Sequence, residues 1–458
     1  MSEKPNIICT GTLDTKGDEI KFIAEKVKEF GGQPIIMDLS LGGEVDWADI
    51  SLDEVLSVNN EQKEEVFQLS RSDAIDVVGQ AGAVKIKELY KDGKVDGIIS
   101  WAGSVGTSTV TTVMRALPFG IPKIMMCTLA SGDVSSWLGN KDIYILNPVS
   151  EKGINRVTRK IVSKAAAGIV NMGRAEIKEM EVNSLAALTA YGTTTPTVMK
   201  CADHMEDNGW DTMMVHQVGT GATMEDLIRS GEIEAVFDIT TGELSNEMLG
   251  SIYGLPDTWK GERLTAASEM GIPQIVCPGG LAQVAYGALD TVSESILEDF
   301  KTGERVSYQN SKEPYVHNSA VTIIPPTLEE TKTLGKQIIE KLNKTNGPTA
   351  LIVPMQGWSA YDQPEELANR ERGWAKGNGD GPVWMPDPEI PKWSKRAMVM
   401  WSVFKEKVNN DNENLDLIKC DMHILDKEFA SFLCDCMDDM LRGDWESGMY
   451  RGHPKVVE

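Results

Sequence analysis

The chain of 458 residues carries 45 lysines and arginines against 69 aspartates and glutamates, a formal charge of -24 and a pI near 4.7. A surface of that sign repels a phosphate backbone, and with no local basic cluster in the sequence, nucleic acid is excluded from the expected partners. Hydrophobic residues at 41% and charged residues at 25% describe a globular protein, and the length exceeds one ordinary core, so two domains are expected.

The start, MSEKPN, passes straight into a strand pattern without the basic and apolar regions of a secretory leader. No apolar run reaches the roughly 18 residues of a membrane span. Seven cysteines (Cys9, Cys127, Cys201, Cys277, Cys420, Cys434 and Cys436) are odd in number and form no CxxC pair, which points to reduced thiols. A cytoplasmic protein with no membrane partner is expected.

Short apolar runs that end in Gly, Ser or Thr and open into helical periodicity read as buried parallel strands. In the first half these are NIICT, PIIMDLS, VDGIISWAG and IPKIMMCTLAS, with the helix patterns DEIKFIAEKVKEFG and STVTTVMRAL between them. A long helix pattern from about Asn155 leads to a link near Asn171–Ser184. The second half repeats the rhythm with SLAALTAYG, WDTMMVHQVG, IEAVFDITTG and IPQIVCPGG. GIPKIMMCTLASG parallels GIPQIVCPGG, and the first strand of each half opens into a Thr-rich loop, GTLDTKGDE or GTTTPTVMK. The expected fold is α/β: two Rossmann-like, doubly wound parallel-sheet domains facing a cleft, residues 1–180 and 181–458. In the second, the strand TALIVPMQG precedes a Trp-, Pro- and Gly-rich insertion at about 356–392. The helix pattern SKRAMVMWSVFKEKV, the strand DLIKCDMHI and an extended tail, RGDWESGMYRGHPKVVE, complete it.

Ligands of open parallel sheets gather at the carboxyl ends of the strands, and the polar clusters of this chain fall there. In the first loop Gly11 permits a tight turn, Thr12 and Thr15 offer hydroxyls, Asp14 can hold a cation or cap the helix, and Lys16 can neutralise a phosphate. The competing reading makes Asp14 or Thr15 a plain N-cap and Lys16 a solvated side chain. The second loop sets Gly103, Ser104, Gly106 and Thr107 where backbone N–H groups can form an oxyanion nest, although a tight strand-to-helix turn needs glycine anyway. The third contributes Thr128, Ser131, Gly132 and Asp133. Three such loops on successive strands favour a phosphate or polyol site.

The second half offers Thr193 and Thr194; His216, Gly219, Thr220 and Gly221; Thr240, Thr241 and Glu243; and Gly279 and Gly280, which together suggest a second site across the cleft. His216 and His317 stand nearest these loops as candidate proton shuttles, against the common structural role of a lone histidine. The chain lacks GxxxxGK[ST], HExxH, Cys/His metal spacing and GxSxG, which sets aside P-loop, zinc-hydrolase and common serine-hydrolase chemistry. Cys9, Cys127 and Cys277 lie near strand ends, with buried packing as their default role. Trp358, Trp374, Trp384 and Trp393 read equally as a lid or subunit contact and as a packed loop.

The motifs GTLDTKGDE, AGSVGTS, MRALPFGIPKIMMCTLASGDV, VHQVGTGATMEDLI, DITTGEL, CPGGLAQVAYG and VHNSAVT, in this order from Ile7 to about Phe432, resemble the ATP-binding domain family that includes the tomato mosaic virus resistance protein and many bacterial proteins. The resemblance implies two Rossmann-like subdomains, ATP at the N-terminal one, and self-association. It maps the nucleotide loops to Gly11–Lys16, Gly103–Thr107 and Thr128–Asp133; in an ATP-dependent enzyme Asp14 or Asp133 would hold Mg2+. The plant relative continues into a barrel resembling phosphoenolpyruvate hydrolases, so a separately encoded barrel partner is expected here, beside a homodimer. After VHNSAVT the family has an Arg-Thr-Thr run where this chain has Pro325 and Pro326, and the loop after QGWSAYDQPE is longer and richer in Trp. The expectation is an ATP-dependent enzyme acting on a small carboxylate, with Lys16 on phosphate and Glu243, His216 or His317 as acid or base. The alternatives are a nucleotide-regulated binding module without turnover and a nucleotide-independent lyase or hydrolase.

Overall fold

The computed structural model describes residues 4–43, 45–132, 134–176, 183–255, 259–306, 312–364 and 380–458. The chain divides into two compact units, Met1–Met180 and Glu181–Glu458. In the first, the apolar runs become β1 (Asn6–Gly11), β2 (Gln33–Asp38), β3 (Gly97–Trp101) and β4 (Lys123–Met126), all parallel, in a sheet ordered β2-β1-β3-β4-β5. The edge strand β5 (Tyr144–Leu146) was not anticipated, because three half-exposed residues carry too little pattern to read. Both faces are covered. Ile7, Cys9 and Ile99 pack under helices Leu13–Glu29 and Thr158–Arg174, while Ile8, Ile98 and Met125 pack under helices Arg71–Lys91 and Ser104–Arg115.

The last two helices approach closely because Arg71–Lys91 carries small residues on the facing side. A Cβ on Gly82 would stand 2.7 Å from a methyl of Val113, whereas Gly79 meets Thr112 at ordinary contact distance.

The second unit repeats the arrangement with one strand more. β6 (Leu185–Ala190), β7 (Asp211–His216), β8 (Ala235–Thr240), β9 (Gln274–Gly279), β13 (Thr349–Pro354) and β14 (Leu415–Cys420) form a parallel sheet ordered β14-β13-β9-β8-β6-β7. Helices Thr195–Asp207 and Lys427–Arg442 pack on one face, and Leu328–Leu342 and Lys395–Lys407 on the other. Between β9 and β13 the chain builds a small antiparallel sheet, β10 (Val284–Tyr286), β12 (Val321–Ile324) and β11 (Tyr315–Asn318), which sequence reading missed because strands of three or four residues show no periodicity.

The tail departs from the expected extended form. Met449–Gly452 is a 3-10 turn, followed by a single bridge from Val456 to Cys420. Trp358, Trp384 and Trp393 are buried in the core of the second unit and close no lid; Trp374 lies outside the described residues. Beneath Trp358, Asp362 is fully buried; it accepts the Trp358 N–H at 3.1 Å on one oxygen. Burial pushes its carboxyl from the ordinary 3.8 up to about 6, against the pull of Arg396.

Two outcomes follow. Gly82→Leu overpacks the helix pair and lowers stability in denaturant by about 1–3 kcal/mol. Asp362 binds its proton more tightly folded than unfolded, so its contribution to stability falls as pH rises from about 4 to about 6, by on the order of 3 kcal/mol. Urea unfolding across that window detects the slope, and Asp362→Asn flattens it.

Candidate functional sites at the strand ends

In a sheet ordered 2-1-3-4-5 the chain reverses direction beside its first strand, and the helices leaving β1 and β3 depart to opposite faces, opening a crevice at the carboxyl ends. In the first unit that crevice is a cavity of about 650 Å³. It gathers two of the three loops singled out in the sequence: Thr12, Asp14, Thr15 and Lys16 from the start of helix Leu13–Glu29, and Gly103, Ser104 and Gly106 from the turn into helix Ser104–Arg115. Gly11 ends β1 and packs on Ile20 instead, and Thr107 donates its hydroxyl to the Gly103 carbonyl at 2.8 Å. The third loop stays outside the lining. Thr128 and Ser131 form a 3-10 turn tied by a 2.9 Å hydrogen bond, Gly132 is exposed, and Asp133 lies outside the described residues. These residues follow β4, one strand further from the reversal.

The helix starting at Ser104 is capped by the backbone of Gly103, without a side-chain acceptor. The N–H groups of Ser104, Val105 and Gly106 belong to a first turn whose donors a helix cannot satisfy internally. A Cβ on Gly106 would crowd Thr12, and one on Gly103 would stand 2.9 Å from a Glu151 oxygen, so both glycines let the backbone come close to its surroundings.

Lys16 is not a solvated side chain. It is 6% exposed, lies 5.5 Å from the centre of the Trp101 ring, donates to the Glu151 carbonyl and stands 3.9 Å from Glu19. Its backbone leaves helical geometry, at φ -123° and ψ 16°, inside the helix. Burial pushes the ammonium pKa down, while Glu19 and Glu151 pull it back up. The N-cap is Thr12, neither Asp14 nor Thr15, and its hydroxyl pairs with that of Thr15 at 2.9 Å.

Asp14 is positioned from β2. Buried Asp38 accepts both the N–H and the hydroxyl of Ser40, at 2.9 and 2.5 Å, and the Ser40 oxygen accepts the Asp14 N–H at 3.0 Å. Sequence reading missed Asp38 and Ser40, although PIIMDLS placed them at a strand end. It also missed Arg71, Glu151 and Lys152 in the lining, which lie far from the loop along the chain. The donor set suits an oxyanion. No group of three or more His, Cys, Asp or Glu able to hold a metal occurs among the described residues, so a Mg2+ ion here would be held by Asp14 together with the phosphates it accompanies.

In the second unit the predicted site residues separate into structural and exposed groups. Arg263, fully buried, pairs with Glu225 at 2.7 Å, with both oxygens of Asp238 at 2.8 Å and with Glu243 at 3.0 Å, and also reaches Gln217. Glu243 accepts the N–H groups of Gly219 and Gly221 on its other oxygen. Burial raises its pKa against the pull of Arg263; fully buried between that cation and two backbone N–H groups, Glu243 holds the glycine loop in place and does not line an open site.

The hydroxyls of Thr194 and Thr240 bond each other at 2.7 Å, Thr241 donates to the Cys277 carbonyl, and Thr220 donates to the His216 carbonyl. Gly280, at φ +73°, leaves room for the Tyr191 ring, and Gly279 passes close to the Ile239 carbonyl. Thr193, His216 and His317 do come together, with Tyr191, Gln283 and Tyr361, around a pocket of about 180 Å³. Pro325 and Pro326, which follow β12, present their carbonyls to two buried cations. Buried Arg305 and Arg396 donate to the two proline carbonyls at 2.7 and 3.1 Å. Replacing Arg263 by Met strands three buried carboxylates, and urea unfolding should register a loss of about 3–5 kcal/mol.

The model of the Uncharacterised protein family (UPF0261) N-terminal domain matches residues 5–178, and that of the UPF0261 C-terminal domain matches residues 183–373. A UPF0261 protein of Clostridium tetani is 35% identical over 440 residues, covering 95% of this chain and 98% of that protein. A UPF0261 protein of Rhizobium meliloti is 34% identical over 359 residues, 78% of this chain and 85% of its own length. The ToMV resistance protein Tm-1(GCR237) of Solanum lycopersicum is 27% identical over 460 residues, which is 95% of this chain but 56% of the tomato protein, so the chain corresponds to about half of that relative. With both family domains matched and a relative aligned along almost its whole length, the chain belongs to the UPF0261 family.

Proposed function

We propose that the first unit binds ATP with Mg2+, and that the protein is an ATP-dependent enzyme acting on a small polar substrate of carboxylate type. The observation that carries this reading is the convergence of a buried ammonium, Lys16, and the open first turn at Ser104–Gly106 on one cavity at the reversal of strand order. A cation kept partly out of water and a row of backbone donors attract phosphate oxygens more strongly than exposed lysines do. When bound, ATP would supply the phosphoryl or nucleotidyl group. Lys16 and the Ser104–Gly106 N–H groups would bind its phosphates, and Asp14 would face the metal.

His216 and His317 are the acid–base candidates of the second unit; Glu243 leaves that role, since Arg263 occupies it. All seven cysteines are buried free thiols, in keeping with a reducing, cytoplasmic setting, and among the described residues no helix is long and apolar enough to cross a membrane. Homodimerisation and pairing with a separate barrel-domain protein resembling phosphoenolpyruvate hydrolases belong to the same proposal.

A second reading, a nucleotide-regulated binding module without turnover, is favoured by the likeness of 95% of the chain to a protein named for virus resistance. Release of ADP in the presence of candidate carboxylates supports the enzyme, and tight ATP binding without ADP release supports the module.

Thermal unfolding with and without MgATP, MgADP and phosphate tests the site itself. ATP at a hundred times its dissociation constant adds about 2.7 kcal/mol of stability to the wild type. Lys16→Met, relieved of a buried charge, unfolds without nucleotide at the same temperature or higher, yet loses the ATP shift. An ATP shift absent from the wild type, or equal in both proteins, refutes the site.

A further inference from the structure

The small antiparallel sheet that the sequence did not announce has a use. Its strands, with Gln283 and Ala285 from the β10 segment, His317 from β11 and Val321 from β12, make one wall of a pocket whose other wall is Tyr191–Thr193 after β6 and His216 at the end of β7. Tyr361 closes it from the loop after β13. We propose that this pocket is a binding site for a compact ring compound that is uncharged and bears a hydroxyl group. The proposal does not depend on the nucleotide reading, and at this pocket, where His216 and His317 stand, it puts an uncharged compound in place of the carboxylate of that reading.

Size sets the first limit. The pocket measures about 180 Å³, and a cavity of about 150 Å³ holds one benzene, so the occupant is a single ring with a small substituent. Shape sets the second. Tyr191 and His216 meet edge to face at 6.2 Å and 86°, His317 and Tyr361 are tilted at 6.2 Å and 60°, and Tyr315 stands edge-on behind Tyr361 at 5.6 Å. Ring faces and edges of this kind, with Ala285, Val321 and Ile323 beside them, suit a flat partner.

Charge sets the third. Among the described residues no Lys, Arg, Asp or Glu contributes to the lining, and the buried arginines of this unit are engaged elsewhere: Arg263 with Glu225, Asp238 and Glu243, Arg305 with Asp299 and Glu330, and Arg396 with the carbonyls of Pro326 and Val383. A carboxylate would find no fixed countercharge among these residues. Hydrogen bonding sets the fourth. The buried Thr193 hydroxyl donates to the Gln283 oxygen at 2.9 Å, and the Gln283 amide donates to Ser359. With its proton committed, the Thr193 oxygen presents lone pairs, so it takes a donor from the ligand. The imidazoles of His216 and His317, both in the lining, are exposed, and His317 forms a 3.1 Å hydrogen bond with the Tyr361 hydroxyl.

The chain's five histidines make the test direct. Phenol and benzoate, matched in ring size and different in charge, are titrated into the nucleotide-free protein while the five imidazole Hε1 resonances are followed, each assigned by a His→Gln variant. Phenol should move His216 and His317 saturably, leave His204, His423 and His453 in place, and bind about tenfold or more tightly than benzoate. Val321→Trp should abolish the response by filling the pocket, and Thr193→Val should weaken phenol about tenfold by removing the acceptor.

Benzoate binding as well as phenol would overturn the uncharged class. An unchanged titration in Val321→Trp would overturn the location, an unchanged affinity in Thr193→Val would overturn the hydroxyl, and no saturable shift would overturn the site. Repeating the phenol titration in Lys16→Met separates the two units. The same response there leaves this proposal standing whatever the fate of the nucleotide reading.

Discussion

Everything of chemical interest in this chain depends on the reversal of strand order beside β1 and again beside β6. Parallel strands need crossover connections, and the crossovers are right-handed, so successive helices on one side of the starting strand lie on one face and those on the other side lie on the opposite face. The helices that leave β1 and β3 therefore diverge, and so do those that leave β6 and β8. Side chains at the carboxyl ends of these strands inherit a crevice that no single segment encodes.

The two units then treat buried charge in opposite ways. In the first, Lys16 is held by a backbone carbonyl and an aromatic face, with Glu19 at the limit of ion-pair distance, so its charge is only partly answered by the protein. Such a group is costly to bury and draws an anion. In the second, Arg263 is enclosed by three carboxylates and an amide, and the network braces the loops after β7 and β8. Having tied its charges together, the second unit offers imidazole, phenol, amide and hydroxyl groups at its pocket.

This division explains how far the site could be read beforehand. The loops Thr12–Lys16 and Ser104–Gly106 were legible because Gly, Thr, Asp and Lys between an apolar run and a helical period mark a strand-to-helix turn wherever they occur. Thr128 and Ser131 have the same composition, yet they follow a strand one place further from the reversal and do not line the cavity. Glu243 looked like a candidate acid because nothing local announces Arg263, twenty residues away along the chain and 3.0 Å away in space. The tryptophans of the insertion read equally as a lid or subunit contact and as a packed loop because they lack helical spacing; Trp358, Trp384 and Trp393 are buried from irregular segments, as a packed loop requires.

The sequence by itself determined the long elements of the two parallel sheets and their kind: buried β-branched and aliphatic runs pair as parallel strands, amphipathic periods cover them, and the two rhythms announce two similar units, whereas β5 and the small antiparallel sheet are too short to show a pattern. It determined as well which residue types stand at the strand ends, since turns select them locally. Only the tertiary structure decided which of those ends meet, because adjacency in a sheet is set by crossover topology and not by distance along the chain. It also decided which charges are neutralised, because a carboxylate's role depends on the cation that folding brings within about 3 Å of it. Glu243 and Lys16 are both polar residues after a strand; one became a brace and the other a candidate phosphate ligand through neighbours far away along the chain.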